Sequence, residues 1–137
     1  MMIRAGMTAA VLALVACGPG GPQPARSFDD PAVQKLFNMS TPQYVATLTI
    51  AQRVAQNCVR YNYDAPLDLL LNEKRNEVGR GSLSQSGLGT QIELELDVSR
   101  RSFIAKHGVD TTAPDLCQAA DAEALEGSAL GAMLVPV

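Results

Sequence analysis

Three cysteines, one histidine and a short acidic run are the side chains of this 137-residue chain best suited to chemistry. Thiols at Cys17, Cys58 and Cys117 could carry lipid, ligate a metal or form a bridge. No C-x-x-C spacing is present, so a redox pair is not indicated. His107 has no Cys, His or Asp cluster beside it, and one imidazole cannot build a zinc site. It stands just before Gly108 at the predicted end of a helix, where a charged ring favours the negative terminus. Glu93, Glu95 and Asp97 could hold Ca²⁺ only if all three lined one strand face. No EF-hand spacing surrounds them, and they read as a solvated acidic edge. The stretch "GRGSLSQSGLGT" lacks the GK[ST] of a phosphate loop, and no G-x-S-x-G elbow occurs, so it reads as a loop. Glu123 and Ser128 flank a stripe of small residues. They read as a helix-packing contact, with Glu123 reaching Arg53 or Arg60, and as a candidate recognition site for a partner. These readings assign no catalytic residue, no cofactor and no metal.

The first cysteine has a different context. "MMIRAGMTAAVLALVAC" combines a basic Arg4, a short apolar run from Ala5 to Ala16 and small residues ahead of Cys17. The run is too short to span a bilayer, which needs about 20 residues. Leu14-Val15-Ala16-Cys17 resembles the lipobox of bacterial lipoproteins. The resemblance implies cleavage before Cys17, a diacylglyceryl thioether on its sulfur and, usually, an acylated amine. Several acyl chains anchor stably where one holds marginally. Gly18, not Asp, follows the cysteine, so the expected address is the outer membrane facing the periplasm. A soluble periplasmic or secreted form is the alternative. Residues 1–16 are then a signal peptide, and the Gly/Pro-rich residues 17–30 a lipidated, flexible linker.

Assigning Cys17 to lipid leaves Cys58 and Cys117 as an even pair in an oxidising compartment. A structural disulfide between them is expected, with two buried free thiols as the alternative. It would close a loop of about 60 residues, valued at roughly 4 kcal/mol by the chain-entropy model. A small aliphatic core without Trp would gain from it.

The elements that must carry these residues read mainly as helices over residues 31–137. Asp30 and Pro31 open a short one. Ser40, Pro42 and Gln43 open a second, expected over 41–62, with Tyr44, Leu48, Ala51, Cys58 and Tyr61 on its inner face. Asp64 and Pro66 open a third that ends near Gly79. Leu67, Leu70, Leu71 and Val78 form its apolar edge, and Glu73, Lys74, Arg75 and Glu77 its solvated one. Ile92, Leu94, Leu96 and Val98 alternate with acids, a strand signal over 92–98. Thr90 with Glu93 as a capping box, Gly108 as a stop and the lack of a strand partner favour a helix there. Thr112, Pro114 and Asp115 are expected to open the last helix. Cys117, Ala120, Ala124, Gly127, Gly131 and Leu134 would share a stripe on it, close to the 41–62 helix.

"IAQRVAQNC", "FIAKHGVDTTAPDLC" and "AEALEGSALGAML" resemble three blocks of a small family of exported alphaproteobacterial proteins of unknown function. The likeness rests on Ile50, Ala51, Val54 and Cys58. It continues at Lys106, Gly108, Val109, Pro114 and Cys117, and at Ala122, Glu123, Gly127, Ser128, Leu130, Gly131 and Leu134. It implies a helical, single-domain, exported protein with a cysteine pair, and lends no catalytic residue.

The sequence therefore predicts an all-α domain of about four helices with one disulfide, the alternative being α+β with a strand at 92–98. A net charge of −3 without a basic stripe disfavours nucleic acid and anionic membrane surfaces as partners. The expected role is a non-enzymatic envelope accessory or protein-interaction domain, held to the membrane by its lipid. A small envelope hydrolase or hydrolase inhibitor is the alternative.

Overall fold

A computed structural model of the protein describes residues 21–81 and 88–137. The signal, the lipobox and Cys17 lie outside the described residues, as does the centre of the Gly/Ser stretch.

Five helices carry most of the described chain: α1 (Pro31–Asn38), α2 (Thr41–Gln56), α3 (Ala65–Glu77), α4 (Leu88–His107) and α5 (Cys117–Glu126). Several begin where side chains take up orphan amide N–H groups. The Asp30 carboxylate accepts from the Ala32 N–H. Ser40 and Gln43 form a reciprocal capping box on α2. Asp64 accepts from the Leu67 N–H at 3.0 Å and starts α3. Gly108, with φ +70°, follows α4 in the left-handed conformation expected of a stop.

The domain is mostly helical, and "all-α" is an approximation. The strands β1 (Tyr61–Tyr63) and β2 (Leu134–Pro136) pair antiparallel, Tyr61 opposite Pro136 and Tyr63 opposite Leu134. The pairing extends outward through the Asp64 N–H to Met133 C=O and the Val137 N–H to Arg60 C=O. It corrects two expectations. The second helix stops at Gln56, not at 62, and Cys58 lies in the turn beyond it, still buried. The last helix stops at Glu126. Gly127, at φ +64°, turns the chain, and Gly131 enters a single 3₁₀ turn leading into β2. The expected helical stripe through Gly127, Gly131 and Leu134 does not exist.

Segment 92–98 is helical throughout, inside α4. Thr90 is already within that helix and does not cap it. α5 likewise starts at Cys117, later than the Thr112–Asp115 opening expected. The Asp115 carboxylate accepts from the Cys117 N–H, and Pro114 precedes the helix.

α2 is the central element. Tyr44, Leu48 and Ala51 pack with Val33, Leu36, Leu67, Leu71 and Met133 on one side. Ile50 and Val54 pack with Phe103, Leu116, Ala120 and Leu134 on the other, where α4 lies along α2. The Cys58–Cys117 disulfide sits in this second half, joining the end of α2 to the start of α5, with Cα atoms 4.8 Å apart. The folded part begins ahead of α1. The Ala25 N–H donates to Asp64, and Phe28 meets Phe37 edge-on at 5.1 Å, so residues 25–30 of the expected linker are packed against the domain.

Candidate functional site

Glu123, Ser128 and His107 come together. Glu123 projects from α5 and its side chain is only 6% exposed. A lone buried carboxylate would be costly, and this one is surrounded by donors. Lys106 Nζ donates to Oε1 at 2.8 Å, and His107 Nε2 lies 2.6 Å from the same oxygen. The Ser128 hydroxyl donates to Oε2. Lys106 also pairs with Glu126. The His107 ring packs on Phe103 with centroids 4.6 Å apart, and its side chain is as buried as that of Glu123.

Local backbone builds this arrangement. Lys106 and His107 are the last two residues of α4, so both side chains leave the helix at its end, toward α5. The turn after Gly127 returns Ser128 to the carboxylate, and the Gly131 N–H donates to the Ser128 hydroxyl at 2.9 Å. Gly131 lies so close to α5 that a Cβ there would stand 2.2 Å from the Glu123 carbonyl oxygen. The cluster thus ties together α4, α5 and the strand-bound tail.

Its electrostatics favour holding over reacting. Burial alone would push the Glu123 carboxyl up. Hydrogen bonds from Lys106, Ser128 and His107 outweigh it and hold the group below the usual carboxylate range. Burial would lower the Lys106 ammonium, but its bonds to Glu123 and Glu126 raise it overall. Nucleophilic serine chemistry places an imidazole between hydroxyl and carboxylate. Here the carboxylate lies between the other two, and a carboxylate of lowered pKa is a weak base for Ser128.

Two surface depressions border the cluster. A groove of about 280 Å³ runs between α2, α4 and the turn after α5, with Glu123, Ser128 and Lys106 beside Ile50, Val98 and Phe103. A cleft of about 510 Å³ on the other side reaches Lys106, His107, Asp115 and Gln118.

Glu123 reaches neither Arg53 nor Arg60: Arg60 pairs with Asp121, at 2.5 Å, and Lys106 takes the Glu123 partnership. His107 does end its helix, but it binds a buried carboxylate there as well. Glu93, Glu95 and Asp97 follow the turns of α4, and Asp97 pairs with Arg101 at 2.6 Å. Among the described residues no three His, Cys, Asp or Glu side chains converge as a metal site would require, and no helix is long and apolar enough to cross a membrane. Arg75, read as part of a solvated edge, is instead 1% exposed. The spacing Leu67, Leu71, Arg75 places it on the inner stripe of α3, a signal that its residue type masked.

No protein-family model, no curated protein and no solved structure matches the chain.

Proposed function

We propose that this protein is a periplasm-facing lipoprotein, anchored through acylated Cys17, whose helical domain is a non-enzymatic accessory or interaction module of the cell envelope. We place it with the exported alphaproteobacterial proteins that its cysteine-flanking blocks resemble. The observation that carries the reading is the Cys58–Cys117 bridge. It fits an oxidising compartment and leaves Cys17, at the end of an apolar leader, as the third thiol. The outer membrane is the favoured address. The hydrolase alternative is weaker, because Glu123 is already engaged by three donors and is a poor base. The groove beside Glu123 and Ser128 is the favoured recognition surface, since Ile50, Val98 and Phe103 line it together with these polar groups.

Two measurements test this. Radiolabelled palmitate should enter the native protein and not Cys17→Ala, which should then leave the membrane fraction. Failure of native protein to label, with release from membranes by salt alone, refutes the anchor. A photocrosslinking residue at Val98, on the groove wall, should give a discrete adduct in whole cells, and the same residue at Leu69 on α3 should not. Equal or absent adducts at both positions refute the groove.

A further inference from the structure

We propose that Arg75 and Arg80 form a receptor for a phosphate group, in the cleft between the α1–α2 corner and the end of α3. Arg75 is almost completely buried. One guanidinium nitrogen, Nη1, donates to the carbonyls of Phe37 at 2.7 Å and Met39 at 2.9 Å. The other terminal nitrogen, Nη2, reaches the Thr41 hydroxyl at 3.4 Å, and the group lies 4.3 Å from the centre of the Tyr44 ring. Arg80 is exposed and donates to the same Phe37 carbonyl at 3.1 Å.

Among the described residues neither guanidinium has a counter-ion. All fourteen Asp and Glu residues of the chain fall among the described residues. None of them forms an ion pair with Arg75 or Arg80. Residues 1–20 and 82–87 contain no Asp or Glu. In a protein of net charge −3, two neighbouring cations without a carboxylate are an uncompensated positive site. A buried cation is expensive unless paired. Carbonyl oxygens and an aromatic face offset part of that cost and leave the charge itself unneutralised. Burial lowers the Arg75 pKa and the Arg80 charge lowers it further, while Tyr44 acts the other way.

The surroundings suit an oxyanion. Arg75 and Arg80 share a cleft of about 470 Å³ with Asn38, Ser40 and Thr41. The positive end of α2 opens there, while the Asn38 amide, the Ser40 N–H and the Thr41 hydroxyl already donate to Gln34, Gln43 and the Arg80 carbonyl. The exposed Arg80 guanidinium is the one placed to meet the oxygens of a phosphate or carboxylate, and Arg75, its terminal nitrogens held by Phe37, Met39 and Thr41, adds positive charge from behind. Two positive charges with no acid nearby suit the doubly charged phosphate monoester better than a single carboxylate. The phosphate could be free in solution or carried on a lipid headgroup.

The test uses the purified mature protein carrying Cys17→Ala, so that no acyl chain inserts, with inorganic phosphate and with vesicles of phosphatidic acid, a phosphate monoester, or phosphatidylglycerol, a diester. Phosphate should raise Tm saturably over chloride at equal ionic strength. Arg80→Gln, an exposed change that preserves the fold, should weaken that response by about tenfold or more, as loss of a charge-assisted hydrogen bond implies. A phosphate response sensitive to Arg80→Gln supports a soluble ligand. Flotation with phosphatidic acid but not phosphatidylglycerol vesicles, lost in Arg80→Gln, supports a headgroup. No response to either probe, or responses that Arg80→Gln leaves unchanged, overturns the proposal.

Discussion

Ser128 stands five residues beyond Glu123, and its hydroxyl donates to the Glu123 carboxylate while accepting the Gly131 N–H. One serine therefore joins a buried charge to the backbone turn that starts the return to the sheet. That link makes the cluster sensitive to small changes on either side.

Glu123→Gln should remove the ion pair with Lys106 and weaken the bonds from His107 and Ser128. A loss of about 2 kcal/mol at neutral pH is expected, less than for a fully buried pair because Lys106 is partly exposed. The folded-state pKa of Glu123 is depressed, so its stabilisation is complete above the unfolded value and is lost as pH falls through the folded one. Urea denaturation across pH should show the native and variant curves converging in acid. A gap that stays constant would refute the charge-based account.

Gly131→Ala places a methyl group against the Glu123 carbonyl. The backbone must move, at an expected cost of about 1–3 kcal/mol. Hydrogen exchange should quicken at the Asp64 and Val137 amides, which bond across the strand pair. Unchanged exchange with unchanged stability would mean that the turn relaxes freely.

Asp64→Ala should have two effects. α3 loses its cap, worth about 1 kcal/mol, and the Ala25 N–H loses its acceptor. Limited proteolysis ahead of Phe28 should accelerate in the variant. Equal cleavage rates would show that Phe28 on Phe37 alone holds residues 25–30.

Replacing Cys58 and Cys117 together by serine frees a chain segment of 59 residues' separation. About 4 kcal/mol of stability should be lost. Thermal unfolding with and without reductant measures it, and reductant should leave the double variant unaffected.

Much of the helical framework was legible because its signals are local. Asp30, Ser40 and Asp64 begin helices in the structure as their positions indicate. The alternation at 92–98 pointed two ways, and the structure shows what a helix does with it. Period-two apolar residues cannot all face inward on a 3.6-residue turn, so Leu94 is 64% and Val98 55% exposed. The strand pair was not legible. Tyr61 continues the helical spacing of α2, and its partner Leu134–Pro136 is three residues long and distant in sequence. The burial of Glu123 could be suspected from the small residues around it. Its partner could not, because choosing Lys106 over Arg53 or Arg60 depends on which helix end meets α5.

The bridge from the end of α2 to the head of α5 encloses β1, α3 and α4 within one covalent ring. A protease that cut this ring once, between Arg80 and Leu88 for example, would leave both fragments tethered. The nicked molecule would migrate as one band on a non-reducing gel and separate into two when its sulfurs were reduced.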